Sequence, residues 1–429
     1  MALRRTHIVA ALLCLLLTSC WKEDLLPSPQ HPLPAQEPVP HEEPPQTPEQ
    51  QEALPVRTGL PVLIIDTENG RSIQDKVTWV PAQAKILDAE GYVDLPFTGC
   101  ALRGRGNSTW GWAKKPYSLR LDEKVEVLGM PAQKHWVLLA NYMDRTLMRD
   151  ALGFEIARHT SLAWTPRCQF VELVLNGRHV GNYLLAEQVR PDKNRVAIDK
   201  DAADSWLFES DFHYDEPWQW HERNIPFCVK FPDDEDMTDA LKAQARAFIK
   251  EKLNACWSGN YAKAAAAMDL QSFADYWIVF EVMGNHELRN PGSVFTYVSA
   301  GGKWTAGPVW DFDWGGLSYK TSPQAKTGLV NRSAVWYQGL FGIKDFRRLT
   351  AERWKALKPA LEQCSAYIDR TQVLLRASDA LNRAMWDPAG AGMINGDEDL
   401  SFNDAVARLK RNYFERISVM DSIIADGEF

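Results

Sequence analysis

Short apolar runs bounded by turn residues fill the chain from residue 60 to 189, and longer runs with helical spacing follow residue 236. The clearest β signal lies at 169–189, where two β-rich runs flank Asn176-Gly177, a dipeptide typical of two-residue hairpin turns. Shorter β segments are predicted over residues 62–65, 77–80, 84–87 and 101–103.

One helix is predicted within the β-rich part, at residues 144–159, where Asp144 can cap it and apolar residues line one face. The later part predicts helices over 236–253, 269–283 and most of 336–424, with a hairpin over 293–310 around Gly301-Gly302. This order predicts an α+β fold with a β-rich N-terminal half and a helical C-terminal half.

The first 19 residues have the pattern of a secretion signal. Arg4 and Arg5 precede an apolar run over 8–18, whose 11 residues are too few to span a bilayer. Leu17-Thr18-Ser19-Cys20 then matches a bacterial lipobox, in which the chain is cut before the cysteine. We therefore expect a lipoprotein signal peptide over 1–19 and lipidation of Cys20, which anchors the protein to a membrane. A plain signal peptide with a chance cysteine is the alternative.

Residues 20–59 are predicted to be a proline-rich, disordered linker. Residues 27–55 hold ten prolines among Gln, Glu and His. This segment therefore has too little apolar surface to fold. At ~3 Å per residue this segment would hold the folded body up to roughly 90 Å from the membrane. We divide that body into a domain over 60–330 and a helical extension over 331–429 that packs on it.

The charge balance argues against nucleic acid as a partner. The net charge is 48 − 56 = −8, or −10 once Arg4 and Arg5 are removed, and no run of Lys or Arg appears. The five cysteines after Cys20 lack CxxC pairs, so a zinc site is not indicated, while one or two disulfides stay open.

The strongest chemical signal is the segment Gly307–Gly315, where Asp311 and Asp313 stand among aromatic residues before a glycine turn. Asn285-His286-Glu287 is a second polar segment inside apolar sequence, and the two segments are interpreted as halves of one site. Two carboxylates on one side of a strand suit Mg²⁺, which takes oxygen ligands. A cap or turn role for these aspartates is the structural alternative.

A basic segment, Arg103–Trp110, supplies the opposite charge. Its glycines allow close backbone approach to an anion, and its arginines can bind phosphate, although a structural turn is the alternative. Lys115 follows at the start of a predicted strand and could reach nucleotide phosphates. Glu187 ends the second hairpin strand, and a Lys115–Glu187 pair would resemble the lysine–glutamate pair of kinases. Glu155 is the competing partner.

Several blocks together identify a family resemblance. The segments RGRGNSTW, KKPYSLRL, VLNGRHVGNYLLAEQV, VKFPDDED and GPVWDFDWG occur in the order of the CotH (spore coat protein H) kinase family, from about Leu60 to Gly316. The resemblance implies an atypical protein-kinase-like, two-lobed fold, with ATP as substrate and Mg²⁺ or Mn²⁺ as cofactor. It places Arg105, Asn107, Lys115 and Glu187 in nucleotide binding, Asp311 and Asp313 at the metal, and Glu287 with Asp311 in catalysis.

The chain departs from the family's active pattern at two positions. Glu287 stands where that pattern has Asp, and Ser293 where it has a metal-binding Asn. A side chain longer by one methylene displaces the catalytic oxygen, and such a displacement can lower rates by ~10²-fold. The chain is most similar to the Bacteroidetes-type surface lipoprotein branch. We expect it at the outer membrane or surface of a Gram-negative cell, acting on a protein or glycan acceptor there.

Two other functions remain open from the sequence. The first is a catalytically inactive pseudokinase that binds surface ligands such as glycans, since Trp206, Trp218 and Trp220 cluster and exposed aromatic rings stack on sugars. The second is a glycoside hydrolase that uses Asp311 with Asp313 or Glu287. The basic segment has no role in that reaction, so this function ranks last.

Overall fold

The structure is a computed structural model that describes residues 51–386, 395–424, 427 and 429. The predicted signal peptide, Cys20 and most of the predicted linker lie outside the described residues. Within the described part, no helix combines the length and apolar character needed to cross a membrane.

The described elements comprise twelve strands, eight α-helices and four short 3-10 helices. The strands are β1 Val62–Thr67, β2 Val80–Leu87, β3 Val93–Gly104, β4 Tyr117–Val127, β5 Met130–Leu139, β6 Cys168–Leu175, β7 Arg178–Glu187, β8 Trp206–Ser210, β9 Gln219–Glu222, β10 Ile225–Phe231, β11 Val294–Val298 and β12 Thr305–Ala306. The helices are α1 Arg149–Arg158, α2 Asp239–Cys256, α3 Tyr261–Ala267, α4 Leu270–Val282, α5 Tyr337–Leu340, α6 Lys344–Gln363, α7 Ser365–Met385 and α8 Phe402–Ile424.

The first seven strands close into a barrel in the order β1-β2-β3-β4-β5-β7-β6. Apolar residues alternate along these strands, so side chains such as Leu102, Leu119 and Trp136 fill the interior. The predicted hairpin at 169–189 is confirmed as β6 and β7. Asn176 and Gly177 have φ angles of 52° and 72°, as the hairpin turn requires.

A second sheet has the order β12-β11-β8-β10-β9 and shares a large apolar core with the helices. Helix α4 runs through this core and is buried from Ser272 to Val282. Helices α6 and α8 both pack against α4, so the C-terminal helices enclose the same core as the second sheet.

The predicted α+β class, β-rich at the N-terminal end and helical at the C-terminal end, is confirmed, whereas barrel closure was not predicted. Helix α1 begins at Arg149 instead of at 144. Asp144 accepts a hydrogen bond from the Arg149 backbone at 2.8 Å, as a capping residue does. Leu147 has a φ of 59°, which ends any helical path between the two residues.

The folded body begins before Leu60, because residues assigned to the linker contact the barrel. Gln51 forms a β-bridge with Tyr92, and the Glu52 backbone donates to Gly91 O at 2.8 Å. The Glu52 carboxylate also forms an ion pair with Lys85. These contacts fix the last residues of the predicted linker onto β2 and the turn before β3.

A buried ion pair joins α4 to α8. Glu281 and Arg416 are both fully buried and lie 2.9 Å apart. The Glu281 carboxylate also accepts from the Val330 backbone at 2.9 Å and from the Asn331 backbone. Arg416 donates to the carbonyl oxygens of Ala325 and Gly328. The pair therefore connects the C-terminal helix to the segment that follows the second sheet.

Replacing Glu281 with alanine leaves the Arg416 charge buried without its partner. We expect Glu281→Ala to lower the free energy of unfolding by about 3–5 kcal/mol, measured by urea denaturation. Asp369→Ala is the matched control, since Asp369 forms an exposed pair with Lys410 at 2.6 Å. That change should cost less than about 1 kcal/mol. Equal losses in the two variants would show that the buried pair does not stabilise the fold.

Candidate active site

A cavity of about 700 Å³ lies between the outer face of the barrel and the second sheet. Both polar segments singled out in the sequence reach it: Glu287 follows α4, and Asp311 and Asp313 lie beyond β12. The two segments therefore line one cavity, and their role as halves of one functional site stays a prediction. Arg105 and Asn107 face the same cavity from the loop after β3.

Backbone hydrogen bonds to Asp150 hold the segment Asp311–Gly315, here called the acidic loop. One Asp150 carboxylate oxygen accepts from the Phe312 backbone at 2.7 Å and from the Asp313 backbone at 3.1 Å. Asp311 has a φ of 58°, a conformation that an L-residue adopts only where its surroundings impose it. Asp150 lies on α1, so the helix before β6 sets the path of a loop about 160 positions later.

The ring of Phe312 anchors the acidic loop to the core. It packs against Phe154 and Phe280, with ring centroids 6.4 Å and 5.1 Å away. A Cβ atom at Gly153 would lie 2.1 Å from this ring. Helix α1 therefore needs glycine at 153 so that the ring can approach its backbone.

Asn285 connects the acidic loop to the Glu287 segment. Its amide nitrogen donates to Asp311 O at 3.0 Å and to Trp314 O at 3.2 Å. Its side-chain oxygen accepts from the Glu287 backbone at 2.7 Å. Since Asn285 is fully buried, these bonds fix the spacing between the two segments rather than binding a ligand.

Asn395, just before α8, fixes the acidic loop from the other side. Its side chain accepts from the Gly315 backbone at 2.9 Å and donates to Asp313 O at 2.8 Å. The residue is 1% exposed. Arg408 in α8 donates to Asn395 O at 2.9 Å, so the C-terminal helix supports the loop through Asn395.

Arg149 on α1 adds a second connection to the C-terminal segment. Its guanidinium donates to Gly316 O at 2.7 Å and to Asp397 at 2.7 Å, and it also pairs with Asp144. Asp397 forms a further ion pair with Arg408. These buried charges compensate one another, as charges removed from water must.

The carboxylates of the cavity raise one another's pKa. Burial, then the charges of Asp313 and Asp311, raise the pKa of Asp150 well above its ordinary value. Burial and Asp311 raise the pKa of Asp313 to about 7. The pKa of Glu287 also lies well above its usual range, through burial, Asp311 and Asp313. Such crowding of like charges favours either a shared proton or a bound cation.

Arg105 is a cation that interacts electrostatically with these carboxylates. It is half-buried, and burial lowers its pKa while Asp311, Asp150 and Asp313 oppose that effect. Its guanidinium carbon lies 5.8 Å from the Trp310 ring centroid. Asn107 accepts from Lys76 Nζ at 3.2 Å. These groups place positive charge and amide donors on the barrel side, opposite the acidic loop.

The predicted Lys115–Glu187 pair is wrong. Lys115 Nζ donates to Trp110 O at 2.7 Å, and Glu187 is buried against Arg167 at 3.1 Å. Neither residue lines the cavity. Glu155, the competing partner, pairs with Arg158 instead. Two consecutive residues point to opposite sides, and the sequence does not say whether Lys114 or Lys115 faces the cavity.

Lys114 is the lysine that reaches the cavity wall. It is fully buried, donates to Ala140 O at 2.8 Å and to Asn182 O, and lies 4.4 Å from the Tyr183 ring centroid. Burial lowers its pKa to about 7, with Glu172 opposing the shift. Asn141, the residue after Ala140, also lines the cavity.

Sequence reasoning missed Asp150, Asn395 and Glu209 as residues of the site. Glu209 follows the apolar run Trp206–Phe208 on β8, lines the cavity, and has its pKa raised by burial to about 7. A carboxylate inside an apolar strand is the signal that could have found it. The predicted tryptophan cluster is not an exposed platform, because Trp206 and Trp220 are 2% and 4% exposed.

The residues present fit a divalent cation held with substrate phosphates. Within the described part of the chain, no three His, Cys, Asp or Glu side chains are arranged to hold a metal by themselves. Mg²⁺ usually takes one or two protein carboxylates and fills its remaining positions with water and phosphate oxygens. Asp311 and Asp313, whose buried charges oppose each other, supply that donor set. The five cysteines of the folded body are free.

Comparison with known families adds one finding. The sequence model of the family described as "CotH kinase protein" matches residues 102–419, more than half of the 429 residues. The match begins in β3, contains the acidic loop, and ends in α8. No curated protein matches the chain in sequence.

The role of Asn395 can be tested by Asn395→Ala. The Gly315 N–H and the Asp313 carbonyl then lose a buried partner, which costs about 1–3 kcal/mol. We expect faster amide hydrogen exchange across residues 311–316, measured by mass spectrometry. Asn403→Ala, which removes an exposed asparagine bonded to Gln372, should leave that exchange unchanged. Equal exchange in both variants would contradict the role of Asn395.

The depressed pKa of Lys114 predicts a pH-dependent stability. Between pH 7 and the ordinary lysine pKa of 10.5, the unfolded state binds more protons at Lys114 than the folded state does. The contribution of Lys114 to stability therefore rises with pH in this window, by at most about 1.4 kcal/mol per pH unit, whereas Asp313 and Glu209 contribute with the opposite sign near pH 7. Lys114→Met should remove that rise in urea denaturation at pH 6.5 to 8.5, and Lys115→Met is the matched control. A wild-type slope retained in Lys114→Met would be evidence against a neutral buried amine.

Proposed function

Because this chain belongs to the CotH kinase protein family, we propose that it transfers a phosphoryl group from ATP to an acceptor outside the cytoplasm. The observation that carries the proposal is the meeting of Glu287, Asp311 and Asp313 with Arg105 and Asn107 around one cavity. Phosphoryl transfer depends on positioning and on charge stabilisation, and this cavity offers both signs of charge.

In this proposal, Asp311 and Asp313 hold Mg²⁺ or Mn²⁺. The metal would neutralise charge on the transferred phosphate when it is bound. The chain's own contribution is to fix both carboxylates, since Asp150, Asn285 and Asn395 bond the backbone on either side of them. A fixed carboxylate needs little reorganisation during the reaction.

Glu287 is proposed as the residue that accepts the proton of the acceptor hydroxyl. Its raised pKa makes the ionised carboxylate a stronger base than an exposed glutamate. Its position is set by Asn285 on one side and by Gly292 on the other, where a Cβ atom would lie 2.8 Å from the carboxylate. The Gly292 backbone therefore lies against the carboxylate, which supports a defined position for its oxygen.

Arg105 and Asn107 are proposed to bind the nucleotide phosphates from the barrel side. Arginine binds phosphate oxygens with two parallel donors, and Arg105 already faces the acidic loop. Lys114 takes the place that the sequence suggested for Lys115, because of these two adjacent lysines only Lys114 lines the cavity. A cavity between the β-barrel and the second sheet, which shares its core with the helices, supports the further proposal of a two-lobed, kinase-like arrangement.

The N-terminal segment adds a proposed location. Lipidation of Cys20 and the proline-rich segment would place the folded body outside the cytoplasm, tethered to the outer membrane or cell surface. A protein or glycan at that surface is the proposed acceptor.

A catalytically inactive surface binding protein is the second candidate. Phe212 and Trp314 are 47% and 37% exposed and both line the cavity. Exposed aromatic rings offer stacking surfaces to sugars. The Ser293 hydroxyl also hydrogen-bonds Asp311 and Glu209, at the position where the family's active pattern has a metal-binding asparagine.

ATP binding, measured by calorimetry with and without Mg²⁺ or Mn²⁺, tests the proposed function. We expect metal-dependent binding that Asp311→Ala weakens by at least about tenfold, the loss of one charge-assisted contact. Asp201→Ala, an exposed aspartate outside the cavity, is the control. Absence of ATP binding with either metal would overturn the kinase proposal and leave the surface binding protein, to be tested on glycan arrays.

The role of Glu287 requires a separate measurement. Glu287→Gln keeps the size of the side chain and removes its basicity, so we expect ATP binding to persist. Phosphoryl transfer to any acceptor, followed with labelled ATP, should fall by about 10²–10⁴-fold. Transfer at the wild-type rate would exclude Glu287 as the base.

A further inference from the structure

Three cationic or titratable side chains lie together on the outer face of the barrel, beside the cavity. Arg120 on β4 is opposite Ala101 on β3 and opposite His135 on β5, and Arg103 is two residues from Ala101. Directly opposed residues of antiparallel strands point to the same face, as do alternate residues of one strand. Arg103, Arg120 and His135 therefore share a face, and we call them the barrel-face triad.

The two arginines of the triad are held by one indole ring. The guanidinium carbons of Arg103 and Arg120 each lie 4.6 Å from the Trp79 ring centroid. Cation–π contact with a tryptophan stabilises a guanidinium without using its hydrogen-bond donors. Among the described residues, Arg103 Nε is buried and has no hydrogen-bond partner. The triad therefore has a hydrogen-bond donor, Arg103 Nε, that no described protein group accepts from.

Several carboxylates near the triad are bonded to other cations. Glu216, which faces Arg103, bonds Lys230 at 2.6 Å. Asp233 pairs with Arg190 at 3.5 Å, Asp192 with Lys124 at 2.9 Å, and Glu187 with Arg167 and Arg195.

His135 lies close to four cationic side chains, of which Arg190 and Arg195 are the ones paired with Asp233 and Glu187. Burial, then the charges of Arg190, Arg120, Arg195 and Lys134, lower the pKa of His135 to about 4. The neighbouring cations that contribute to this shift electrostatically favour an anion at this position. His135 thus reports the local potential as well as contributing a ring nitrogen.

We propose that the barrel-face triad binds a phosphate group that is not part of the nucleotide. The forked donors of arginine match phosphate oxygens, and Arg103 also lines the cavity, which puts the bound phosphate at the cavity's edge. A phosphate monoester on the acceptor, or free phosphate, has this chemistry. The site does not depend on ATP binding, on the acidic loop or on phosphoryl transfer.

Histidine NMR of the full chain, titrated with inorganic phosphate at constant ionic strength, tests this proposal. The chain has nine histidines, so His135→Gln is used to assign the His135 signal. We expect phosphate to move this signal and to raise the pKa of His135 by about one unit, because a nearby anion favours the imidazolium form. A His135 signal that phosphate does not move would overturn the proposal.

Two arginine variants distinguish a built site from general charge effects. Arg120→Gln should weaken the phosphate response about tenfold, since one charge-assisted contact is lost. Arg178→Gln removes an exposed arginine at the Asn176–Gly177 turn of the same barrel and should leave the response unchanged. An equal loss in both variants, or in neither, would show that phosphate acts without a site at the triad.

Addition of ATP and Mg²⁺ separates this site from the proposed nucleotide site. We expect His135 to keep its response to phosphate in the presence of ATP and in Asp311→Ala. A protein that fails to bind ATP but retains the His135 response would refute the kinase proposal and leave this one standing. If ATP itself saturates the His135 response, the triad belongs to the nucleotide site and the present proposal is wrong.

Discussion

The arrangement of the cavity depends on hydrogen bonds to the backbone of the acidic loop. Asp150, Asn285 and Asn395 come from three distant parts of the chain, and each bonds peptide groups on or beside Asp311 and Asp313. A loop with a left-handed Asp311 would otherwise relax, because its peptide groups would be satisfied equally well by water. Buried partners remove that alternative. They also leave the aspartate side chains free to face the cavity.

This support explains why the C-terminal helices belong to the site. Asn395 is itself held by Arg408 of α8, and Arg149 of α1 connects the loop's end to Asp397. The family match, which extends to residue 419, covers this region as well. The C-terminal segment that the sequence suggested as an extension therefore contributes directly to the geometry of the acidic loop.

The cavity also separates charge. Carboxylates that raise one another's pKa lie on the side of the second sheet and acidic loop, and Arg105, Asn107 and Lys114 lie on the barrel side. Opposite charges at this separation create a field in a partly enclosed space, where electrostatic interactions are stronger than in water. A phosphate with its metal carries both charges and is complementary to this distribution. The barrel-face triad continues the positive side beyond the cavity.

The sequence by itself determined the α+β order, the hairpin at Asn176-Gly177 and the association of Glu287 with Asp311 and Asp313, because periodicity, turn residues and buried polar residues are local signals. Only the tertiary structure decided that β1 pairs with β6 to close a barrel, that Lys114 instead of Lys115 turns toward the cavity, and that Glu187 pairs with Arg167. It also decided the contribution of Asp150 and Asn395. Strand closure and the direction of one side chain among neighbours depend on contacts between residues far apart in sequence, and no local pattern encodes those contacts.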